Sequence, residues 1–171
     1  MLITILYIVH ILCGILWAGA NFLNVSFILP AVKASGAEGK VFMQHLAKTN
    51  KYPLILNLAA IATIISGLGL LDSISNHFSI DFFSSTKGII ILIGSFLGID
   101  AYLTALVLQR PAILAMGKIG GQIAAAGGIP TEQQKIEMTA LQKKMFMGAH
   151  ISTGLIFLAV ICMPLSKYWP F

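Results

Sequence analysis

Four apolar runs, each about as long as a membrane-spanning helix, constrain this chain more than any other feature of its sequence. A transmembrane helix needs about 20 mostly apolar residues, and such runs cover residues 2–29, 53–71, 88–108 and 145–165. The first run is too long and has too few basic residues for a signal peptide, so we expect it to be a retained helix. The sequence predicts an all-α integral membrane protein, with residues 1–171 forming a single four-span domain.

The composition agrees with a membrane protein and excludes several other classes. Hydrophobic residues make up 57% of the chain and charged residues only 10%, against roughly 25% charged residues in soluble domains. The mean hydropathy is +0.89. These values exclude a disordered chain, a nucleic-acid-binding module and an ordinary soluble enzyme. The lipid bilayer is the expected environment, and no nucleic-acid partner is expected.

The basic residues are distributed unevenly between the two sides of the predicted spans. Basic residues are retained on the cytoplasmic side of membrane proteins. Nine of the eleven basic residues lie between spans one and two or between spans three and four, and two lie on the other side: Lys33, Lys40, Lys48, Lys51, Arg110, Lys118, Lys135, Lys143 and Lys144 against Lys87 and Lys167. We therefore predict a bacterial cytoplasmic (inner) membrane protein with both termini on the outer, periplasmic side. Tyr168 and Trp169 fit an outer interfacial belt.

Helix-start signals precede two of the spans by many residues. Ser35 with Glu38 and Thr131 with Gln134 both match the capping-box pattern. They predict that the second helix begins near Ala37 and the fourth near Glu132, and Pro53 would then kink the second helix. Residues 127–130 read Gly-Gly-Ile-Pro, the clearest turn signal in the chain. The expected architecture is a four-helix bundle whose helices extend into the cytoplasm.

Polar residues inside the first span follow a helical spacing. Five residues of this span follow one another at intervals of 4, 3, 4 and 3: His10, Gly14, Trp17, Asn21 and Asn24. This spacing places all five on one helix face. A polar face in a membrane helix should point toward protein partners. It either forms hydrogen bonds between helices or forms the wall of a cofactor site, where Gly14 would leave room for a planar ring beside His10.

The fourth span repeats this pattern. His150, Gly154 and Phe157 have the same spacing as His10, Gly14 and Trp17. The repeat predicts that the two histidines are metal ligands of haem b, with the glycines and Trp17 beside the cofactor. The estimated depths of His10 and His150 differ by about 9 Å at 1.5 Å per residue. Two arrangements stay open: both histidines bind one haem, or each binds its own.

Asp100 is the one acidic residue inside a predicted span. Its estimated depth is close to that of His150, so a hydrogen bond between the two could orient the imidazole. The alternatives are a step in a proton path or a buried, protonated carboxyl group.

Other residues with metal-binding chemistry carry weaker signals. His45 lies beside basic residues and is expected to be solvated, whereas His77 lies near Asp72 and Asp81 in a loop that could hold a metal ion. The two cysteines, Cys13 and Cys162, lie in apolar runs, where we expect small buried residues rather than a disulfide.

The first helix resembles the opening helix of a group of small bacterial membrane proteins. The similarity lies in Val9-His10-Ile11, Trp17-Ala18-Gly19, Phe22 and Pro30. The group includes the copper-resistance protein D-like proteins, the HemJ-type protoporphyrinogen oxidases and related four-helix families of unknown function. The resemblance implies a four-helix bundle, metal handling, and haem held by His10 and a later lysine, for which Lys87 is the candidate.

Three functions follow from these observations. The first is a haem b-binding electron-transfer protein that passes electrons to a quinone or to another subunit of a respiratory-type membrane complex. The second is a structural or accessory subunit of a larger membrane complex, in which the polar stripes serve only helix contacts. The third is a HemJ-type enzyme. An oligomer is compatible with each of them.

Overall fold

Four long helices form most of the protein. The computed structural model describes residues 1–168, apart from the side chains of Ala37 and Lys40, so Trp169 of the expected interfacial belt lies outside the described residues. The long helices are α1 (Leu2–Ala34), α3 (Tyr52–Ile74), α5 (Thr86–Ala125) and α6 (Glu132–Tyr168). Two shorter helices, α2 (Gly36–Lys48) and α4 (Ile80–Ser84), lie in the connections. The described residues contain no β-strand.

Each long helix is apolar and long enough to cross a bilayer, which confirms the all-α class and the four candidate spans. Helices α5 and α6 continue well beyond the apolar runs at residues 88–108 and 145–165, and for α6 the start at Glu132 agrees with the capping-box prediction. The longest, α5, has 40 residues and measures about 60 Å, roughly twice the hydrocarbon thickness of a bilayer. Hydropathy locates the spans but does not mark where the helices end.

The first connection differs from the prediction. Ser35 forms no side-chain cap, and α2 starts directly after it at Gly36 with a positive φ of 58°. The helix then ends at Lys48, and Lys51 adopts a left-handed conformation before α3 begins. The predicted single helix with a kink at Pro53 is therefore wrong. Pro53 lies in the first turn of α3, where its missing N–H breaks no helical hydrogen bond.

The second connection agrees with the prediction. The Thr131 N–H donates to Oε1 of Gln134 at 2.9 Å, and the Gln134 N–H donates to Oγ1 of Thr131 at 3.2 Å. This reciprocal capping box starts α6 at Glu132 as expected. Gly127 and Gly128 have φ values of 93° and 86°, which only glycine adopts without steric cost.

Wide π-helical turns interrupt α1 and α5. They span Asn24–Ile28 and Ala105–Gln109. In both helices a proline, Pro30 or Pro111, follows the wide turn after one intervening residue. Proline has no N–H to donate and its ring collides with the preceding turn of a helix. The wide turn accommodates the proline without ending the helix.

The long helices pack as two pairs. Helix α1 lies along α3 and α5 lies along α6, whereas the contacts between the pairs are fewer. The pairs meet at a buried cluster formed by Trp17, Ala59, Ala60, Ala101 and Ile156. Alanines at such a crossing let helix backbones approach closely.

A hydrogen bond strengthens the junction between the pairs. The Tyr102 hydroxyl of α5 donates to Oδ1 of Asn57 of α3 at 2.9 Å. On the side of the junction that holds the start of α1 and the end of α6, the helices enclose a cleft lined by residues of all four long helices.

Candidate cofactor cleft

His10 is fixed in the cleft by a hydrogen bond to the neighbouring helix. Its Nδ1 lies 2.9 Å from the carbonyl oxygen of Thr63 on α3. A carbonyl can only accept, so Nδ1 carries the proton, and Nε2 is left with a free lone pair. Nε2 has no hydrogen-bond partner among the described residues. A histidine in this tautomer is ready to bind a metal through Nε2.

Gly67 makes room for the imidazole on α3. A Cβ atom built on Gly67 would lie 2.8 Å from Cε1 and 3.1 Å from Nδ1 of His10. The ring therefore packs directly on the backbone of α3, one turn after the carbonyl to which it is bonded. This contact, together with the hydrogen bond, determines the position of the His10 ring.

The cleft is mainly apolar and has a volume of about 700 Å³. That volume lies within the range of roughly 300–1,000 Å³ typical of small-molecule sites. Its walls are mostly aliphatic side chains and glycines. The ionisable side chains that line it are Tyr7, His10, Lys87, Lys167 and Tyr168.

Gly14 and Trp17 continue the wall of the cleft below His10. A Cβ atom on Gly14 would lie 3.6 Å from Cγ2 of Thr63, an ordinary contact distance. Trp17 is 8% exposed and closes the cleft at the junction of the helix pairs. Asn21 donates to the carbonyl of Trp17 at 2.8 Å. The polar face predicted for the first span, including the half-buried Asn24, does point into the protein.

The second motif lies in a different environment. His150, Gly154 and Phe157 are exposed, and none of them lines the cleft. Nδ1 of His150 lies 2.8 Å from the carbonyl oxygen of Phe146, one turn earlier in its own helix. Gly154 has open space where a Cβ would be. Phe157 packs edge-on against Phe22 of α1, with ring centroids 5.5 Å apart.

The structure does not bring the two histidines together. Trp17 of α1 and Ile156 of α6 belong to one buried cluster and therefore lie at about the same level. The two helices run antiparallel, since the start of α1 and the end of α6 share the cleft while Phe22 contacts Phe157. His10 lies seven residues from this level on one side and His150 six residues from it on the other, so the two histidines differ in level by about 20 Å. Because metal–nitrogen bonds are about 2 Å long, one iron cannot bind both.

Asp100 is also outside the cleft. Its side chain is exposed on α5, and no hydrogen bond joins it to His150 in the described part of the chain. The predicted orientation of His150 by Asp100 is therefore not formed within one chain.

The weaker candidates form no metal centre. His45 is exposed, with Nδ1 3.4 Å from Oγ1 of Thr49. His77 pairs with Asp72 at 3.1 Å. Within residues 1–168, the described side chains include no group of three or more histidine, cysteine or acidic residues that could hold a metal ion. Both cysteines are free and half-buried.

Sequence reasoning missed the contribution of α3 to the cleft. The Thr63 carbonyl has no sequence signal, because the backbone of every residue supplies the same acceptor whatever its side chain. Gly67 does have a signal, since Ala59, Thr63 and Gly67 recur every four residues and form a stripe of small side chains that allows close helix approach.

Known proteins do not identify this cleft. No protein-family model matches the chain, and no curated protein or solved structure matches it significantly.

Proposed function

We propose that the protein binds haem b in the cleft, where His10 would hold the iron, and that it transfers electrons within the membrane. The observation that carries this proposal is the hydrogen bond from Nδ1 of His10 to the Thr63 carbonyl, 2.9 Å long. Histidines that bind metals usually donate their second ring nitrogen to a carbonyl or carboxylate, which fixes the tautomer and increases ligand basicity. His10 already has this arrangement.

The residues of the cleft suit a haem. The apolar walls accept a flat hydrophobic macrocycle, and Lys87 and Lys167 supply positive charge for its carboxylates. Haem supplies one-electron chemistry when it is bound, and the protein determines ligation, burial and hydrogen bonding. Trp17 and the helix junction close one end of the cleft to water. A quinone or another membrane subunit would be the electron partner.

The same proposal includes an orientation in the bilayer. The four long helices form a bundle that crosses a bacterial inner membrane with both termini outside. The excess of basic residues near the 125–132 connection supports a cytoplasmic location for the long ends of α5 and α6. The cleft then opens near the outer face of the membrane.

A second candidate function is that of an accessory subunit in a larger membrane complex. The exposure of Asp100 and His150 inside apolar spans favours it, because ionisable groups in membrane helices usually face protein. A HemJ-type enzyme is the third candidate, and it is favoured by the presence of His10 and Lys87 in the same cleft.

An absorption spectrum tests the main proposal. We expect the detergent-purified protein, expressed with ample haem, to contain a stoichiometric amount of haem and to show a sharp α band after reduction with dithionite. A protein without a chromophore under these conditions would contradict haem binding and leave the accessory role. Conversion of protoporphyrinogen by the purified protein would favour the enzyme.

A further inference from the structure

Asp100 lies at the centre of an apolar, exposed face of α5. It is fourteen residues after the start of the helix at Thr86, well inside the candidate span. Its neighbours on this face are Ile93, Phe96 and Leu103, each about half exposed or more. A carboxyl group facing lipid at this depth is unfavourable. Something other than lipid must therefore cover this face in the membrane.

His150 presents the same situation on α6. It is exposed between Met147 and Ile151, and Gly154 one turn later leaves open space beside it. Its Nδ1 is occupied by the Phe146 carbonyl, so the proton is on Nδ1 and Nε2 is a free acceptor. The neutral imidazole can accept a hydrogen bond from a protonated carboxyl, and the imidazolium can donate one to a carboxylate.

The two groups lie at nearly the same depth. The Ser152 hydroxyl of α6 donates to the Ala101 carbonyl of α5 at 2.8 Å, which places these residues side by side. Since the two helices are antiparallel, Asp100 is level with Thr153, only three residues from His150. The difference in level is about 4.5 Å, which the side chains can span.

Within one chain, however, the side chains of Asp100 and His150 point in different directions. Ala101 and Ser152 lie on the surfaces where α5 and α6 meet. At about 100° per residue, Asp100 is rotated by about 100° from Ala101, and His150 by about 200° from Ser152. His150 therefore points away from α5. The acid and its complementary base are on different sides of the α5/α6 pair.

We propose that a second copy of this chain covers the Asp100 face and that Asp100 of one copy bonds to His150 of the next. Copies inserted in the same orientation keep identical residues at identical depth, so the depth match within one chain becomes a match between chains. The contact joins two different surfaces and is heterologous, which produces a ring when the rotation closes. It removes two ionisable groups from lipid at once and is independent of haem.

Cross-linking in membranes tests this contact. Two differently tagged full-length chains, one carrying Asp100→Cys and the other His150→Cys, are co-expressed in a background with Cys13→Ala and Cys162→Ala. A short bifunctional thiol reagent should yield a dimer containing both tags. The matched control replaces Asp100→Cys by Ile93→Cys, which is on the same face but about 10 Å further along the helix. It should give no mixed dimer.

Three outcomes would overturn the proposal. The first is the absence of a mixed dimer although both cysteines react with a monofunctional thiol reagent. The second is equal cross-linking of the Ile93→Cys control, which would indicate random collision. The third is cross-linking of Asp100→Cys only to other proteins, which would favour a foreign subunit over a second copy.

Oligomer mass provides an independent measurement that needs no cysteine. Asp100→Ala or His150→Ala should weaken the oligomer about three- to tenfold, the size of an interhelical hydrogen bond in a membrane. The exchange of both residues, Asp100→His with His150→Asp, should restore it. Unchanged mass in both single variants would contradict the proposed pair, whereas failure of the exchange alone would contradict its reciprocal geometry.

Discussion

The two copies of the His-x-x-x-Gly-x-x-aromatic motif have the same spacing but occupy opposite environments. In α1 the histidine is bonded to α3 and its aromatic residue, Trp17, is 8% exposed. In α6 the histidine is bonded only to its own helix, and its aromatic residue, Phe157, is 44% exposed. The comparison teaches that helical spacing determines which residues share a face. It does not determine what that face contacts.

The neighbouring helix makes the difference. Helix α3 presents the Thr63 carbonyl and the bare backbone of Gly67 to the first motif. A Cβ atom built on Gly154 of the second motif would meet no atom of the described residues within 4 Å. The first motif therefore belongs to an internal cleft, and the second belongs to an exposed surface of α6.

The largest contrast should come from replacing the two histidines. We expect His10→Ala to abolish the haem absorption of the purified protein, because it removes the ligand nitrogen in the cleft. His150→Ala should retain the haem content, because His150 lies about 20 Å away in level. Haem quantified per chain checks both variants. Equal loss in the two would mean that each motif holds a haem.

The second-largest contrast should come from replacing the aromatic residue of each motif, Trp17 or Phe157. Trp17→Ala removes the largest side chain of the buried cluster between the helix pairs and should lower the free energy of unfolding by about 3–5 kcal/mol. Phe157→Ala loses mainly the edge-on contact with Phe22, which amounts to about 1 kcal/mol. Denaturant titration in detergent, without haem, measures both. Similar losses would show that the Phe157 face is covered in the purified protein.

Gly67→Ala tests the fixation of His10 by α3. The added methyl group would lie 2.8 Å from Cε1 of His10, so the ring must shift relative to the Thr63 carbonyl and its hydrogen bond to that carbonyl should weaken. Haem affinity should fall about 10- to 100-fold, as for other losses of a partner that orients a metal ligand. Haem titration of the apoprotein measures this. Gly154→Ala is the matched control, and it should leave the affinity unchanged.

Gly14→Ala should have the smallest effect on the protein itself. Its methyl group would meet Thr63 at 3.6 Å, an ordinary contact distance, so stability should change only by the gain of about 0.5–1 kcal/mol that comes from replacing a glycine inside a helix. Because Gly14 lines the cleft, the same methyl group should still weaken haem binding measurably. A variant with unchanged haem affinity would show that the bound ring lies away from this turn.

The sequence predicted the membrane class and the positions of the spans because hydrophobic runs depend only on local composition. It also placed His10, Gly14 and Trp17 on an inward face, since that face is the polar one in α1. The outward direction of His150 and Asp100 could not be predicted from spacing alone. It depends on the angle at which α5 and α6 pack, and that angle depends on distant contacts such as Ser152 with Ala101.

The helix boundaries show the same limit. The Thr131–Gln134 capping box formed, because both of its hydrogen bonds lie within four residues. The Ser35–Glu38 box has the same local pattern and did not form, since α1 continues to Ala34 and α2 follows almost without a gap. A capping motif determines where a helix starts only when the residues before it are no longer helical.

The wide turns in α1 and α5 change the direction in which the side chains after the turn point, relative to those before it. A wide turn takes up about one extra residue, so every side chain beyond it is rotated by about 100° relative to an uninterrupted helix. Deleting one residue within Ala105–Gln109 would remove the extra residue and let the wide turn close to an ordinary α-helical turn. The segment Arg110–Ala125 would then keep its present side. The wide turn, marked by the proline that follows it, therefore determines which residues after it share a face with those before it.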